Sequence, residues 1–224
     1  MKLDIKKAIY SPFSEPKWYI KISILCFLSV IGCLLFKKES ALEVLIELPL
    51  ILISVGYLLY FCHNEIHDFS PLLPEWNKNS IIKYLKHGFI IFAIGLFFIL
   101  FLSNMPFNLA LYFNPMLKNS TIFKLTRGIY DCIFLVFNNL VFVNYSFNFK
   151  LINCFKWFKI FKLFLQKELF FFLLIMIITK LIVDSIILYI SHTFAIIVLT
   201  FLLLISFNLL AQIVKKDIVK FEDL

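Results

Sequence analysis

The chain has 224 residues, of which 62% are hydrophobic, 18% are aromatic and only 16% are charged, and its mean hydropathy is +0.93. A soluble domain is about 45–50% apolar and about 25% charged, so this composition excludes an ordinary soluble protein and favours one embedded in a membrane. The net charge of +8 does not indicate nucleic-acid binding, because the lysines flank apolar segments instead of forming one continuous soluble patch.

Six apolar segments follow one another along the chain, most of them close to the 17–25 residues, roughly, that a transmembrane helix requires. We predict spans at residues 19–36, 41–62, 88–102, 128–147, 169–190 and 193–214. Pro49 lies inside the second segment, where it indicates either a kinked span or a helix that begins at the proline. We favour the kinked span, because a helix from Pro49 to Cys62 is too short to cross a bilayer.

Two polar stretches that contain lysines predict helices lying in the membrane interface. Residues 74–87 lead into the third span, and Pro74 at their start is suited to the first turn of a helix. Residues 149–168 are amphipathic with the period of a helix, with aromatic residues on one face and lysines around the other. We expect four side chains of this second stretch to contact lipid headgroups: Lys156, Trp157, Lys159 and Lys162.

The distribution of basic residues predicts how the chain is threaded through the membrane. With the N-terminus inside, the inner-side stretches hold sixteen of the twenty-two Lys and Arg residues and the outer-side stretches hold five. Because cytoplasmic loops carry an excess of Lys and Arg, we predict that both termini are cytoplasmic. The sequence therefore predicts an all-α integral membrane protein of the cell membrane. Its six transmembrane helices and cytoplasmic interfacial amphipathic helices form one domain, residues 1–224.

All three tryptophans (Trp18, Trp76 and Trp157) lie in inner-side stretches that lead into outward spans. Each pair of spans can therefore be interpreted as one copy of a helix hairpin, which would make the chain a threefold internal repeat. Interfacial tryptophans also recur in membrane proteins without repeats, so the repeat stays a hypothesis.

A pair of short motifs resembles a known family. The residues are Gly56-Tyr57-Leu58-Leu59, followed by Leu73-Pro74-Glu75-Trp76. They resemble domain-of-unknown-function family 4013, which consists of polytopic membrane proteins of archaea and bacteria. The resemblance implies an integral membrane protein and supplies no catalytic residues. The Cys-His-Asn-Glu that follows the first motif departs from the arginine-rich segment of that family.

Ionisable residues inside the predicted spans form the candidate site. Lys180 and Asp184 are one helical turn apart near the middle of the fifth span, where each charge costs about 2.5–3.5 kcal/mol to insert. Asp131, Glu43 and Glu47 lie in the outer half of the membrane in the predicted topology. These five residues either form an acidic cavity open to the outside, or they comprise a structural Lys180–Asp184 pair with three interfacial carboxylates. We favour the structural pair.

The histidines near the end of the second span and the five cysteines are expected to have structural roles. His63 and His67 share a helix face near Glu65, a spacing that can hold a transition metal, but the arrangement differs from the zinc-protease motif. We favour a solvated helix end at the headgroup level and predict no metal site. The five cysteines have no metal-ligand spacing and are expected to be small buried hydrophobes.

The sequence contains no phosphate-binding glycine loop and no exposed catalytic constellation, so we predict neither an enzyme nor a cofactor. The favoured function is a structural or accessory membrane component that interacts with lipids, with partner membrane proteins or with further copies of itself. The alternative is a small transporter or channel that uses the outer carboxylates.

Overall fold

The computed structural model describes residues 4–35, 41–166 and 192–222, and every regular element within them is helical, as the sequence predicts. The α-helices are α1 Ile5–Tyr10, α2 Trp18–Leu35, α3 Ala41–Ile66, α4 Lys78–Phe98, α5 Met105–Phe113, α6 Thr121–Ser146, α7 Trp157–Phe164 and α8 His192–Glu222. Between them lie 3-10 turns at Ser11–Phe13, Pro115–Asn119 and Leu151–Phe155, and a π-helical stretch at Ile99–Asn104.

Four of these helices contain segments long and apolar enough to cross a membrane. The segments are Leu48–Ile66 in α3, Lys78–Phe98 in α4, Thr121–Ser146 in α6 and Phe194–Lys216 in α8. The apolar part of α2, Trp18–Ile31, is shorter. The predicted fifth span, residues 169–190, lies outside the described residues.

Helix α3 passes through Pro49 instead of starting there. A proline inside a helix loses one backbone hydrogen bond, and the apolar residues on both sides of Pro49 outweigh that loss. The residues Glu43 and Glu47 therefore belong to the same helix as the Gly-Tyr-Leu-Leu motif.

Helices α3 and α4 cross with their backbones in direct contact. A Cβ atom at Gly56 would lie 2.0 Å from the carbonyl oxygen of Tyr84, and one at Gly88 would lie 1.9 Å from that of Leu52. Only glycine fits at either position, since any side chain would push the helices apart. Small residues at such crossings are a common means of helix association in membranes.

The predicted interfacial helix over residues 74–87 is helical only from Lys78 onward. The chain from Leu73 to Asn77 is not helical, and α4 begins at Lys78 with the Asn77 side chain accepting a hydrogen bond from the Ser80 amide at 2.8 Å. From there α4 continues without a break through Gly88 to Phe98. Pro74 is therefore buried in a loop and does not start a helix, because Asn77 supplies a better cap.

The helical path also extends further than predicted at the opposite end of α4. The third span was expected to end at residue 102, but the π-helical stretch leads directly into α5. Pro106 lies in the first turn of α5, where its missing amide hydrogen is least costly. Helix α6 likewise begins at Thr121, seven residues before the predicted span, with Ser120 as its N-cap.

Much of the core lies toward one end of the bundle. This end consists of residues 4–21, 57–87, 144–166 and 204–216, and we call it the polar end. The side chains of Tyr57, Phe61, Tyr145 and Leu210 are buried there. Apolar side chains around the α5–α6 connection, by contrast, are about four-fifths exposed: Tyr112 80%, Phe113 80%, Met116 82% and Ile122 77%.

Candidate functional site

The polar end divides into two regions, one in which lysines are accompanied by carboxylates and one in which they are not. We call residues 4–21, 64–76 and 208–216 the paired sector, because lysines and carboxylates meet there. We call residues 78–87 and 148–162 the acid-free sector, because they contain lysines and no Asp or Glu. Between Glu75 and Glu168 the sequence has a single acidic residue, Asp131.

Lys21 is the centre of the paired sector. It is 7% exposed, and its ammonium group lies 2.7 Å from the Glu75 carboxylate and 3.5 Å from that of Glu15. The third partner is the carbonyl oxygen of Leu73 at 2.8 Å. A buried charge needs this kind of full pairing to offset the loss of water, so Lys21 fixes the loop before α4 against α2.

The residues of the two family-like motifs converge around this lysine. The Tyr57 and Trp76 rings stack with centroids 4.4 Å apart and an angle of 5° between their planes. The indole of Trp76 donates a hydrogen bond to the carbonyl oxygen of Lys21 at 3.0 Å. The Glu15 carboxylate accepts hydrogen bonds from the amides of Leu72 and Leu73. The motifs therefore serve packing in this chain.

The N-terminal segment closes the paired sector against α3 and α8. Lys7 on α1 donates to the buried carboxylate of Glu65 at 2.6 Å. The amide of Asp4 donates to the Gln212 side chain at 3.0 Å, and the Asn208 side chain donates to the Ser11 hydroxyl at 3.2 Å. The last two contacts join positions 208 and 197 residues apart, so the two ends of the described chain are held together.

Asp68 links the same three parts of the chain at the surface. Its carboxylate accepts a hydrogen bond from Lys215 on α8 and lies 3.9 Å from Lys7 on α1. The hydrogen bond from Lys215 lowers the pKa of Asp68 below its usual range, and the charges of Lys215 and Lys7 act in the same direction. Asp68 is therefore charged wherever the protein is folded near neutral pH.

His63 on α3 and His67, which directly follows α3, cap the end of α6. His63 Nδ1 lies 2.8 Å from the carbonyl oxygen of Ser146, and His67 Nε2 lies 2.8 Å from that of Phe147. Because a carbonyl only accepts, both nitrogens must carry a proton. The last carbonyls of a helix lack partners within the helix, and these imidazoles supply them. Among the described residues, no group of three or more His, Cys, Asp and Glu side chains could hold a metal.

The acid-free sector begins with the first turns of α4. Lys78, Lys83 and Lys86 are exposed, and none of them makes an ion pair with a described carboxylate. The same holds for Lys150 and Lys156 in the segment after α6. The exposed apolar side chains beside these lysines include Ile82 58%, Phe89 58%, Leu151 51%, Ile152 65% and Phe161 59%.

The predicted amphipathic helix over residues 149–168 is replaced by shorter elements within the described residues. Leu151–Phe155 form a 3-10 turn, Lys156 is not helical, and α7 has eight residues. Ile160 and Leu163 are buried, whereas Phe161, which the helical period places on the aromatic face, is 59% exposed. Contacts with α6 and α8 decide which face is buried, and the sequence period does not contain them.

Cys154 in the 3-10 turn behaves as the small hydrophobe that the sequence predicts. It is buried beneath the turn, and burial raises the pKa of its thiol to about 12. The thiol therefore stays protonated at neutral pH and is unreactive. The lysines predicted to contact lipid headgroups differ in exposure, with Lys156 and Lys162 exposed and Lys159 half-buried.

The predicted intramembrane site is described only in part. Asp131 on α6 is half-exposed and pairs with Arg127 one turn earlier, at 3.8 Å. Glu43 and Glu47 lie in the first turns of α3. Lys180 and Asp184 lie outside the described residues, so the pair stays a prediction, as does the outer acidic cavity.

The sequence reasoning missed the ion pairs of Lys21 with Glu15 and Glu75 and that of Lys7 with Glu65. Lys21 lies inside an apolar helix, where an unpaired lysine is expensive, and that position is the available signal. Two of its partners, the Glu75 carboxylate and the Leu73 carbonyl oxygen, come from the loop before α4, which no local pattern connects to α2.

Comparison of the chain with protein-family models, curated proteins and solved structures gave no match. The resemblance to domain-of-unknown-function family 4013 therefore stays a prediction, and the function has to be argued from the two sectors of the polar end.

Proposed function

We propose that the protein is a structural or accessory component of the cell membrane, with six spans and both termini cytoplasmic, which binds anionic lipid through its acid-free sector. The supporting observation is the separation of charge at the polar end. Lys7, Lys21 and Lys215 of the paired sector meet carboxylates from other parts of the chain. The acid-free sector, by contrast, has five exposed lysines that form no ion pair with a described carboxylate: Lys78, Lys83, Lys86, Lys150 and Lys156.

Charge and exposure together favour a membrane surface as the partner of the acid-free sector. The cytoplasmic leaflet carries anionic lipid, and each Lys or Arg near it contributes about 1 kcal/mol of attraction. Exposed apolar side chains between lysines are costly in water and are accommodated at the boundary between headgroups and acyl chains. The adjoining sequence Leu151-Ile152 and the lysines on both sides of it fit that boundary.

Lipid retention by the purified full-length protein tests the proposal. The protein is extracted in a neutral detergent, mixed with phosphatidylglycerol or phosphatidylcholine, and analysed by native mass spectrometry. The variant Lys83→Gln/Lys150→Gln/Lys156→Gln is compared with Lys6→Gln/Lys17→Gln/Lys118→Gln, which loses the same charge from exposed sites elsewhere. We expect only the first variant to lose its preference for phosphatidylglycerol. Equal retention by the two variants would contradict the proposal.

The threading has its own test, because a membrane location alone does not fix orientation. Single cysteines at Lys118 and at Asn79 are introduced into a chain whose native cysteines are replaced by alanine. A membrane-impermeant maleimide added to intact cells should label the cysteine at Lys118 and leave the one at Asn79 unlabelled. The reverse labelling pattern would mean that the acid-free sector faces away from the cytoplasm.

The transporter or channel hypothesis stays a prediction. Its candidate pathway residues comprise Asp131, which pairs with Arg127 on its own helix, and four further residues without described side-chain positions: Glu43, Glu47, Lys180 and Asp184. A flux assay in proteoliposomes, with Lys180→Met and Asp184→Leu as variants, tests that hypothesis independently of lipid binding.

A further inference from the structure

A fixed seam joins α4 to the start of the 3-10 turn Leu151–Phe155. The ring of Phe149 lies with its centroid 4.4 Å from that of His87 on α4. Phe149 has a φ of 54°, a left-handed conformation that few side chains adopt, and its amide donates to the carbonyl oxygen of Tyr145 at 2.9 Å. The hydroxyl of Tyr145 in turn lies 2.8 Å from His87 Nδ1. Buried Tyr145 thus holds both sides of the seam.

The residues next to these contacts are lysines. Lys86 precedes His87 and Lys83 lies one turn earlier on α4, while Lys150 follows Phe149 directly. All three side chains are exposed, and no carboxylate among the described residues pairs with them. Because buried contacts fix the backbone on both sides, the two segments that carry these lysines are held next to each other. Three such ammonium groups suit one phosphate, which lysine binds as a point charge.

Apolar side chains border the lysines on each side of the seam. Ile82 and Phe89 are each 58% exposed on α4, and Leu151 and Ile152 are 51% and 65% exposed on the turn. A soluble phosphate compound would leave this apolar surface exposed to water, whereas the acyl chains of a lipid would cover it. The combination therefore points to a phosphodiester attached to acyl chains.

We propose that this seam binds one anionic glycerophospholipid, with its phosphate held by Lys83, Lys86 and Lys150 and its acyl chains along Phe89 and Ile152. The inference rests on the proposed function and narrows it from a charged surface to one stoichiometric site. Lipid bound at the seam would cover the contact between the His87 and Phe149 rings and stabilise the interface between α4 and the segment after α6.

Binding of the first phosphatidylglycerol molecule to the full-length protein tests the site. The variant Lys86→Gln/Lys150→Gln removes two seam lysines, and Lys78→Gln/Lys156→Gln removes two exposed lysines of the same sector outside the seam. Each lysine near an anionic group contributes about fivefold in affinity, so the seam variant should weaken the first binding step by roughly 25-fold. The control variant should weaken it by no more than about twofold to threefold, because its charges act only at a distance.

Each outcome separates the site from the broader proposal. If both variants weaken binding equally, the seam site is wrong and the diffuse lipid surface stands. If neither variant changes binding, both proposals are wrong. Glycerol 3-phosphate forms the last arm of the experiment: tight binding of this soluble compound, unchanged in Ile152→Ser, would show an anion site and overturn the lipid assignment.

Discussion

Lys21 and Lys86 illustrate how differently the two sectors of the polar end use the same side chain. Lys21 is 7% exposed and contacts two carboxylates and a carbonyl oxygen, so its charge is paired within the protein and does not face a ligand. Lys86 is exposed and has no described carboxylate within ion-pair distance. The difference shows that lysine count alone does not identify a lipid-binding surface, since much of the basic charge can serve internal pairing.

The largest expected effect comes from breaking the paired sector at its centre. Lys21→Met leaves Glu15 unpaired beside a buried loop, and removing one partner of a buried pair costs about 3–5 kcal/mol. Lys86→Met should change stability by less than about 0.5 kcal/mol, as for an ordinary surface substitution. Unfolding of the purified protein in mixed micelles measures both values. Equal losses for the two variants would remove the distinction between the sectors.

A second comparison lies within the acid-free sector, between the two faces of α7. Ile160→Ala should lower the free energy of unfolding by about 2 kcal/mol or more, because Ile160 is fully buried and truncation leaves a cavity. Phe161→Ala removes an exposed ring and should leave that free energy nearly unchanged in micelles. If Phe161→Ala proves the more damaging change, the observed packing of α7 is wrong.

Helix α3 ends in the paired sector and α4 begins in the acid-free sector. The crossing of these two helices provides a third test with an internal control. Gly56→Ala places a methyl group against the Tyr84 carbonyl and should cost about 1–3 kcal/mol through overpacking. Gly128 on α6 has nothing within 4 Å of the Cβ position, so Gly128→Ala should stabilise the helix by up to about 1 kcal/mol. Thermal unfolding of both variants gives the comparison, and a neutral Gly56→Ala would show that the helices do not touch there.

The smallest expected effect is the pH dependence contributed by Asp68. Its folded pKa is lowered below the unfolded value of about 3.9, so its contribution is complete above that pH and is lost as the pH falls through the folded pKa. Because the carboxylate is 65% exposed, the contribution is expected to stay within about 1 kcal/mol.

The stability gap between wild type and Asp68→Asn should therefore be present at pH 7 and close below pH 4, roughly. Denaturant unfolding at several pH values measures this gap. A gap that persists unchanged at low pH would exclude the Lys215 pair as its cause.

Much of the helical organisation could be predicted from the sequence because it depends on local composition. Long apolar stretches must satisfy their backbone hydrogen bonds internally in a membrane, so the positions of α2, α3, α6 and α8 follow from the apolar runs, with helix ends shifted by up to eight residues. The absence of acidic residues over residues 76–130 is likewise a property of the sequence alone. These features determined the all-helical class and the basic character of one sector.

Only the tertiary structure decided how the polar residues are used. The sequence predicted a helix start at Pro74, a solvated helix end around His63 and His67, and one amphipathic helix over residues 149–168. In the structure Pro74 lies in a loop, Glu65 beside the histidines is buried, and the described part of residues 149–168 forms a 3-10 turn and α7. Each depends on contacts between segments far apart in the chain: the pairing of Lys7 with Glu65, the closure of the loop before α4 over Lys21, and the packing of α7 on α6 and α8. Local periodicity reports how much apolar surface a helix carries, whereas the partner that covers that surface is fixed by how the helices assemble.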